Sequence, residues 1–352
     1  GTASAAGELV SLPDTAVAIT ALLDQSLLSR QTAETSSTVG QCCLNCPTRR
    51  LREMIAAESR FTMLAVIREF ALDKLDAASE LTAVRQRHAT YFASWVREAM
   101  AHLCGPGQGI WWARLEGNAD NVGASLNWLL ATGQLELAAR LACDWGVVWQ
   151  RYGRYSEGRD WLEKVLAQMT HNPMPDHLRA HTLQTAAMLA YQQGKWQTAL
   201  QELTESLALY RSTTYRAGMA RVFFDLGRIA LDQAEWQEAM HYNQESLALA
   251  QTVDDQVMAY QALTNLGRVK LCLGHREVAA TLFAEAYKLA QQLDHTHGVA
   301  VALVNLGWVA LYAGEHMEAT HLVEKGLRLC HLLGERKVLA EGLEILAATA
   351  VA

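Results

Sequence analysis

The strongest constraint on the fold of this chain is an internal repeat of 40 residues. A leucine-glycine pair recurs at this spacing, at 226–227, 266–267 and 306–307. A turn position follows each glycine by seven residues, and a small residue follows the turn by five; these columns contain Ala234, Gly274, Gly314 and Ala239, Ala279, Ala319. Columns that share one register predict a repeated structural unit whose copies stack on their neighbours.

Within the repeat, the apolar spacing predicts a helical hairpin. Leu263, Leu266 and Gly267 lie at i, i+3 and i+4, on one face of a helix, and Gly274 suits the left-handed residue that ends a helix. Small residues at Gly267 and Ala279 should let the paired helices approach closely. First helices are predicted near 176–193, 214–233, 256–273, 296–313 and 336–350. Second helices are predicted near 156–169, 196–211, 236–251, 276–292 and 316–332.

Composition agrees with a helical protein in a reducing compartment. The chain of 352 residues is 51% hydrophobic, and its five prolines all lie at or before Pro175, which favours helices. The net charge of −7 argues against nucleic-acid binding. Seven scattered cysteines and the lack of a signal sequence favour the cytoplasm. The apolar stretch Gly298–Gly314 has 17 residues, too few to cross a membrane, and the repeat accounts for it.

The columns resemble the tetratricopeptide repeat over about residues 140–352. This resemblance implies an all-α, TPR-like α-solenoid, a right-handed superhelix of 40-residue helical hairpins. The usual unit has about 34 residues, and its terminal proline is missing here. We expect the extra residues where one hairpin passes to the next, with longer helices as the result. The last helix, around Leu346, has no partner, and the chain opens with Gly1, so we expect a fragment of a longer protein.

The first 135 residues do not repeat. The sequence predicts a helix running into a short strand over Ala16–Leu28, a second strand at Arg60–Leu64 and a helix that begins at Ile67–Asp76. Two strands joined as a hairpin and packed on helices are typical of a winged-helix domain. Further helices are predicted at Glu80–Leu103, 111–115 and 121–130.

Five segments in this region resemble bacterial signal-transduction ATPases with numerous domains, the STAND class. The segments are Leu-Leu-Asp-Gln-Ser-Leu-Leu at 22–28, Arg-Phe-Thr-Met-Leu at 60–64, Ile-Arg-Glu-Phe-Ala at 67–71, Arg-His-Ala-Thr-Tyr-Phe at 87–92 and Leu-Glu-Gly-Asn-Ala-Asp-Asn-Val at 115–122. The resemblance spans 14–170. It implies a partial winged-helix domain at 1–79 with a long wing insertion at 31–59, linker helices at 80–135 and a repeat array at 136–352.

In such regulators an upstream NTPase domain holds nucleotide, the winged helix helps to lock the resting state, and the repeats sense an inducer. No G-x-x-x-x-G-K-[ST] motif occurs in this chain. We therefore expect no cofactor here, and ATP only in an NTPase domain outside this chain. The expected partners are an inducer protein, peptide or small ligand and that upstream NTPase domain, but no membrane.

Other candidate chemistry is weak. The 31–59 segment holds three closely spaced cysteines and three arginines, at 42, 43, 46 and at 49, 50, 52. A zinc site would need a second cysteine pair, and nearby glutamates dilute the basic charge, so an exposed loop is favoured over metal or DNA binding. His88 is interpreted as a satisfied histidine at a domain junction, and His295 and His297 as turn residues. We predict no catalytic residues, no metal site and no enzymatic activity.

The first helices of a tetratricopeptide superhelix line its concave face, and their inward columns give the candidate binding residues. These are His181, Gln184, Tyr191, Arg221, Phe224, Arg228, Gln261, Asn265, Arg268, Asn305, Trp308 and Tyr312. Asn can bond a peptide backbone, Arg a carboxylate, and the rings supply apolar area. The alternative is that Trp308 and Tyr312 pack on the next helix pair while the arginines keep the face soluble.

Three functions remain open from the sequence. The first is the sensor arm of a STAND regulator, which binds its inducer in the superhelix. The second is a freestanding tetratricopeptide scaffold that joins protein partners. The third and weakest is direct DNA binding through the wing. A Walker motif in the same reading frame upstream of Gly1 would favour the first, and a start codon there the second.

Overall fold

A computed structural model of the chain describes residues 28–31, 60–103, 108–172, 174–333 and 336–351. Its two strands are β1 (Leu28–Gln31) and β2 (Arg60–Met63). Four helices precede the repeats: α1 (Ala65–Ala77), α2 (Leu81–Ala101), α3 (Gln108–Glu116) and α4 (Ala119–Ala131). The repeats contain α5 (Leu135–Arg151), α6 (Tyr155–Met169), α7 (Asp176–Gln192), α8 (Trp196–Ser212), α9 (Arg216–Asp232), α10 (Trp236–Thr252), α11 (Gln256–Cys272), α12 (Arg276–Gln292), α13 (Thr296–Ala313), α14 (His316–Leu333) and α15 (Arg336–Val351).

The chain divides into two compact units, Gly1–Arg87 and His88–Ala352. In the first, β1 pairs antiparallel with β2, with Leu28 opposite Met63, and α1 follows directly. The second predicted strand and the helix after it are confirmed, whereas β1 begins at Leu28, where the first predicted strand ends. The predicted helix before β1, and the 31–59 insertion beyond its first residue with its cysteines and arginines, lie outside the described residues. The winged-helix assignment stays a prediction.

The second unit begins with a core that joins the preceding helices to the first repeats. Leu115 of α3, Leu126 of α4, Trp145 and Trp149 of α5 and Leu162 of α6 are all buried in one apolar cluster. Burying residues of this size removes a large apolar area from water and stabilises the contact between these helices. The front of the array is thus held by helices that are not themselves repeats.

The 40-residue period has a simple origin in the array. Each helix from α7 to α12 has 17 residues, and three-residue connections such as 193–195 and 213–215 separate them. The predicted helix limits agree with the structure to within two residues, and the expected longer helices are confirmed. The expectation that the extra residues lie between hairpins is wrong, because both connections are equally short and the helices contain the added length.

Each connection from α7 to α14 contains one residue in the left-handed region. Within the hairpins this residue is Gly194, Ala234, Gly274 or Gly314, as the turn column predicts. Between hairpins a second column appears, which the sequence reading missed, at Thr214, Asp254 and Asp294. Glycine adopts this conformation without penalty and aspartate tolerates it, whereas alanine at 234, with φ of 59°, loses about 1 kcal/mol. A left-handed residue in every connection from α7 to α14 keeps these connections short and the period constant.

The glycine column permits the close approach of paired helices. A Cβ atom added to Gly267 would lie 2.5 Å from the Phe283 ring of α12, and one added to Gly227 would lie 2.2 Å from the Asn243 amide of α10. Real Cβ atoms do not come this close to a neighbour, so only glycine fits. The predicted close approach is confirmed at Gly267, and Ala279 is buried.

Among the helices described, α13 is long and apolar enough to cross a membrane, with 18 residues and a mean hydropathy of 1.4. Its buried residues Ala300 and Val304 share an apolar core with Val323 of α14 and Ile345 of α15. Packing within the array therefore accounts for its apolar character.

The first helix of the array contacts the end of α14. The Arg151 guanidinium, at the end of α5, donates a hydrogen bond to the Leu333 carbonyl at the end of α14. The same guanidinium lies 4.5 Å from the ring centroid of Trp112 in α3. The contact joins residues that are 182 positions apart in the sequence.

Candidate functional site

The first helices of four successive hairpins converge on one cavity of about 470 Å³. Helices α5, α7 and α9 line it, together with the start of α11. Six of the predicted binding residues line this cavity: His181, Gln184, Arg221, Phe224, Arg228 and Gln261. We call it the groove cavity.

Arg228 is held in place while much of its hydrogen-bonding capacity stays unused. Its guanidinium carbon lies 5.1 Å from the Tyr191 ring centroid and 5.8 Å from that of Phe224. One Nη atom lies 3.4 Å from the Met188 sulfur and 3.5 Å from Asp225 Oδ1, and the buried Nε has no acceptor. Because a guanidinium carries five N–H donors, most donors of Arg228 remain unused.

Gln184 leaves an unused acceptor at the same cavity. Its Nε2 donates to Asp225 Oδ2 at 2.7 Å, while its buried Oε1 accepts no hydrogen bond. Unpaired buried polar atoms are uncommon in folded proteins. Burial raises the pKa of the Asp225 carboxyl, although Arg228 and Gln184 act in the opposite direction. Gln184 therefore has an unused acceptor beside the groove cavity.

We expect Asp225→Asn to stabilise the chain at pH 7. The folded state raises the pKa of Asp225 and therefore disfavours its ionised form. The contribution of Asp225 to the free energy of unfolding is complete below its unfolded pKa of about 3.9. That contribution is lost as the pH rises through the folded pKa. Urea denaturation should give a higher free energy of unfolding for the variant than for the unchanged chain at pH 7. This difference in free energy should shrink towards pH 4. Asp160→Asn, at an exposed position, is the control. A less stable Asp225→Asn at pH 7 would show that the Arg228 contact outweighs burial.

Tyr191 and Arg268 lie outside the lining of the groove cavity. The Tyr191 hydroxyl donates a hydrogen bond to Asp232. Burial, the larger cause, and this hydrogen bond together raise the pKa of Tyr191 to about 12. The hydrogen bond to Asp232 thereby fixes the Tyr191 ring, which the Arg228 guanidinium contacts. Arg268 is half-buried and makes no hydrogen bond or ion pair within the described part of the chain.

The remaining predicted residues do not line this cavity. The buried Asn265 donates to Asn243 Oδ1 at 3.1 Å, and the buried Asn305 donates to the Val301 carbonyl at 2.9 Å. Trp308 and Tyr312 stack at 5.7 Å, and Trp308 packs against the apolar core of α13–α15. The amides therefore bond inside the array, whereas the Tyr312 ring is half exposed.

Sequence reasoning missed the α5 wall of the cavity. Val147 and Gln150 lie there, and Val147 is exposed. A signal was present, because Gly146 precedes the turn residue Gly153 by seven residues, as Gly267 precedes Gly274. α5 is therefore the first helix of the first hairpin.

The histidines considered from the sequence have structural partners. His88 lies within hydrogen-bonding range of Asn121 at 3.4 Å and Ser125 at 3.3 Å, which confirms a satisfied histidine. His295 accepts a hydrogen bond from the Gly298 amide at 2.9 Å at the start of α13. No group of three His, Cys, Asp or Glu side chains that could hold a metal occurs among the described residues.

Stacked helical hairpins with one inward-facing set of helices define a repeat solenoid. The tetratricopeptide-repeat family model matches residues 137–212, 187–252 and 258–330, which together cover more than half of the chain. The chain belongs to the tetratricopeptide-repeat proteins. No curated protein matches its sequence.

Solved structures share this fold at low identity. The Rap conjugation gene regulator of plasmid pLS20, in complex with the Phr* peptide, has a TM-score of 0.54 and 15% identity over 74% of this chain and 78% of its own. A Rap protein complexed with competence and sporulation factor has a TM-score of 0.53 and 13% identity over 77% and 88%. Aspartyl phosphate phosphatase F from Bacillus subtilis has 0.50 and 13% over 64% and 59%. The predicted all-α, TPR-like solenoid is confirmed.

Proposed function

We propose that this chain is the sensor and protein-interaction arm of a STAND-class regulator. An inducer, a protein or peptide, binds in the groove cavity, and the array relays the event to an NTPase domain outside this chain. The chain itself is non-enzymatic and acts in the cytoplasm. The observation that carries the proposal is the convergence of four repeats on a cavity with an unused donor at Arg228 and an unused acceptor at Gln184.

An extended peptide fits this combination. Each peptide unit offers one N–H donor and one C=O acceptor, which match the Gln184 oxygen and the Arg228 N–H groups. Phe224 and Val147 supply apolar walls. The structure of the pLS20 regulator in complex with the Phr* peptide supports a peptide ligand, since the two proteins share the fold.

The relay rests on the region before the repeats. The resemblance of residues 14–170 to STAND regulators and the antiparallel pairing of β1 with β2 ahead of α1 both support a partial winged helix there. The common core of α2–α7 supports transmission, because a change in α7 at the groove cavity acts directly on helices that precede the array.

Peptide selection tests the groove. Random 12-residue peptides displayed on phage are selected against the whole chain, and enriched peptides are measured by fluorescence anisotropy. We expect Arg228→Ala and Phe224→Ala each to weaken binding at least about tenfold, in line with the loss of a charged hydrogen bond or a buried ring. Arg276→Ala, an exposed site at the start of α12, is the matched control. If the selected peptides bind all three variants equally, the peptide-binding site lies outside the groove cavity.

The coding sequence upstream of Gly1 tests the relay. A phosphate-binding loop in the same frame is expected. A start codon next to the Gly1 codon would instead favour the freestanding scaffold, with the groove proposal unaffected.

A further inference from the structure

A second cavity of about 290 Å³ lies beside the groove cavity. His181 and Arg221 line both cavities and mark the junction between them. The other walls come from Arg97 of α2, from α5, and from the α8–α9 connection. Because Arg97 precedes the repeats, this second cavity is not formed by the array alone.

Basic groups dominate the lining of the second cavity. Three arginines and two histidines face a single carboxylate, that of Asp144; the basic residues are Arg97, Arg140, His177, His181 and Arg221. Arg140 is held by Glu136 at 2.8 Å, and Arg97 lies 3.5 Å from Asp144. Arg221 makes no hydrogen bond or ion pair with any described residue. The exposed Arg221 guanidinium therefore keeps its N–H donors unused at the cavity.

The Tyr210 hydroxyl, on an otherwise buried side chain, reaches the second cavity and can donate to an anionic ligand. Tyr210 is 2% exposed and lines the second cavity, yet within the described ranges its hydroxyl has no hydrogen-bond partner. The absence of a Cβ at Gly218 leaves room for its ring, since such an atom would lie 2.5 Å from it. His181, also largely buried, likewise has no hydrogen-bond partner there. The unused groups are a guanidinium, a phenol and an imidazole, all able to donate.

We propose that the second cavity is an oxyanion site that binds a carboxylate or phosphate group through Arg221, Tyr210 and Arg97. A guanidinium meets an oxyanion with two parallel N–H donors, and a phenol adds a third. The bound group connects α2 to α9 and extends into the groove cavity past His181. The site goes beyond the proposed function, because it is formed by residues other than Arg228 and Phe224, which the peptide test substitutes.

Titration with simple anions tests the site. Sodium phosphate and sodium acetate are added to the whole chain at constant ionic strength, with sodium chloride as the reference. Binding is followed by amide NMR shifts and by the melting temperature. We expect saturable shifts around residues 210–221, and at least about tenfold weaker binding for both Arg221→Gln and Tyr210→Phe. Arg216→Gln, an exposed position on the same helix, should bind as the unchanged chain does.

The outcomes separate the two sources of the oxyanion. Tighter binding of phosphate indicates a phosphorylated ligand, and binding of acetate as tight or tighter indicates a carboxylate. Shifts no larger than those with chloride, or equal binding by Tyr210→Phe, would overturn the site. Tyr210→Phe preserves the ring, so the test stands even if Arg221→Gln folds poorly. Failure of peptide selection at Arg228 and Phe224 leaves this result intact, because neither residue lines the second cavity.

Discussion

Phe283→Ala is expected to lower the free energy of unfolding by about 3–5 kcal/mol, the range for a buried phenylalanine. Phe283 is fully buried, and its ring fills the space left by Gly267 on the paired helix. Removing the ring leaves a cavity between α11 and α12 that backbone packing prevents from closing. Urea denaturation monitored by circular dichroism measures the loss.

Val278→Ala on the same helix is the matched control. Val278 is exposed, so its truncation should change stability by no more than about 0.5 kcal/mol. If Phe283→Ala lowers the free energy of unfolding by less than about 1 kcal/mol, the helices close the space left by the ring. That result would contradict a rigid contact between Gly267 and Phe283.

Arg159→Ala should cost about 3–5 kcal/mol, as expected when one partner of a buried ion pair is removed. Arg159 is 8% exposed and donates to Glu202 at 2.7 Å, to Glu163 at 2.7 Å and to the Ala186 carbonyl at 3.2 Å. It thus joins α6, α7 and α8. Without it the Glu202 carboxylate, 15% exposed, loses the charge that balances it.

Arg179→Ala provides the comparison, since Arg179 contacts Glu205 at the same 2.7 Å but with 31% and 46% of the two side chains exposed. We expect a loss below about 1 kcal/mol. Burial raises the pKa of Glu202. The loss in free energy of unfolding caused by Arg159→Ala should therefore become smaller as the pH falls and this carboxylate is protonated. Equal losses for both variants would show that burial does not distinguish the two pairs.

The repeat register predicts the helices well because each column fixes a local requirement: a left-handed turn, a close contact or an apolar face. Leu266, Gly267 and Gly274 are such cases, and all three have the predicted roles. Contacts between hairpins follow no local rule. The pairing of Arg159 with Glu202 spans 43 residues and leaves no pattern in the sequence.

The candidate site shows the same limit. Arg221, Phe224 and Arg228 from the inward columns line one cavity. They do not determine how tightly the array curves, and so they do not predict that α5 faces α11 across that cavity. Asn265 lies in the same inward set, but its Asn243 partner on α10 depends on the crossing of two helices.

The bond from Arg151 to the Leu333 carbonyl joins α5 to the end of α14, with α15 beyond it. An open stack can absorb a displacement by moving its free end, whereas the helices from α5 to α14 are joined to one another at both ends. Widening the groove cavity at one interface therefore requires either small, shared adjustments at every other interface or loss of the Arg151 contact. A ligand that spreads the inner helices would thus be felt at Trp112, far along the chain from the residues that bind it.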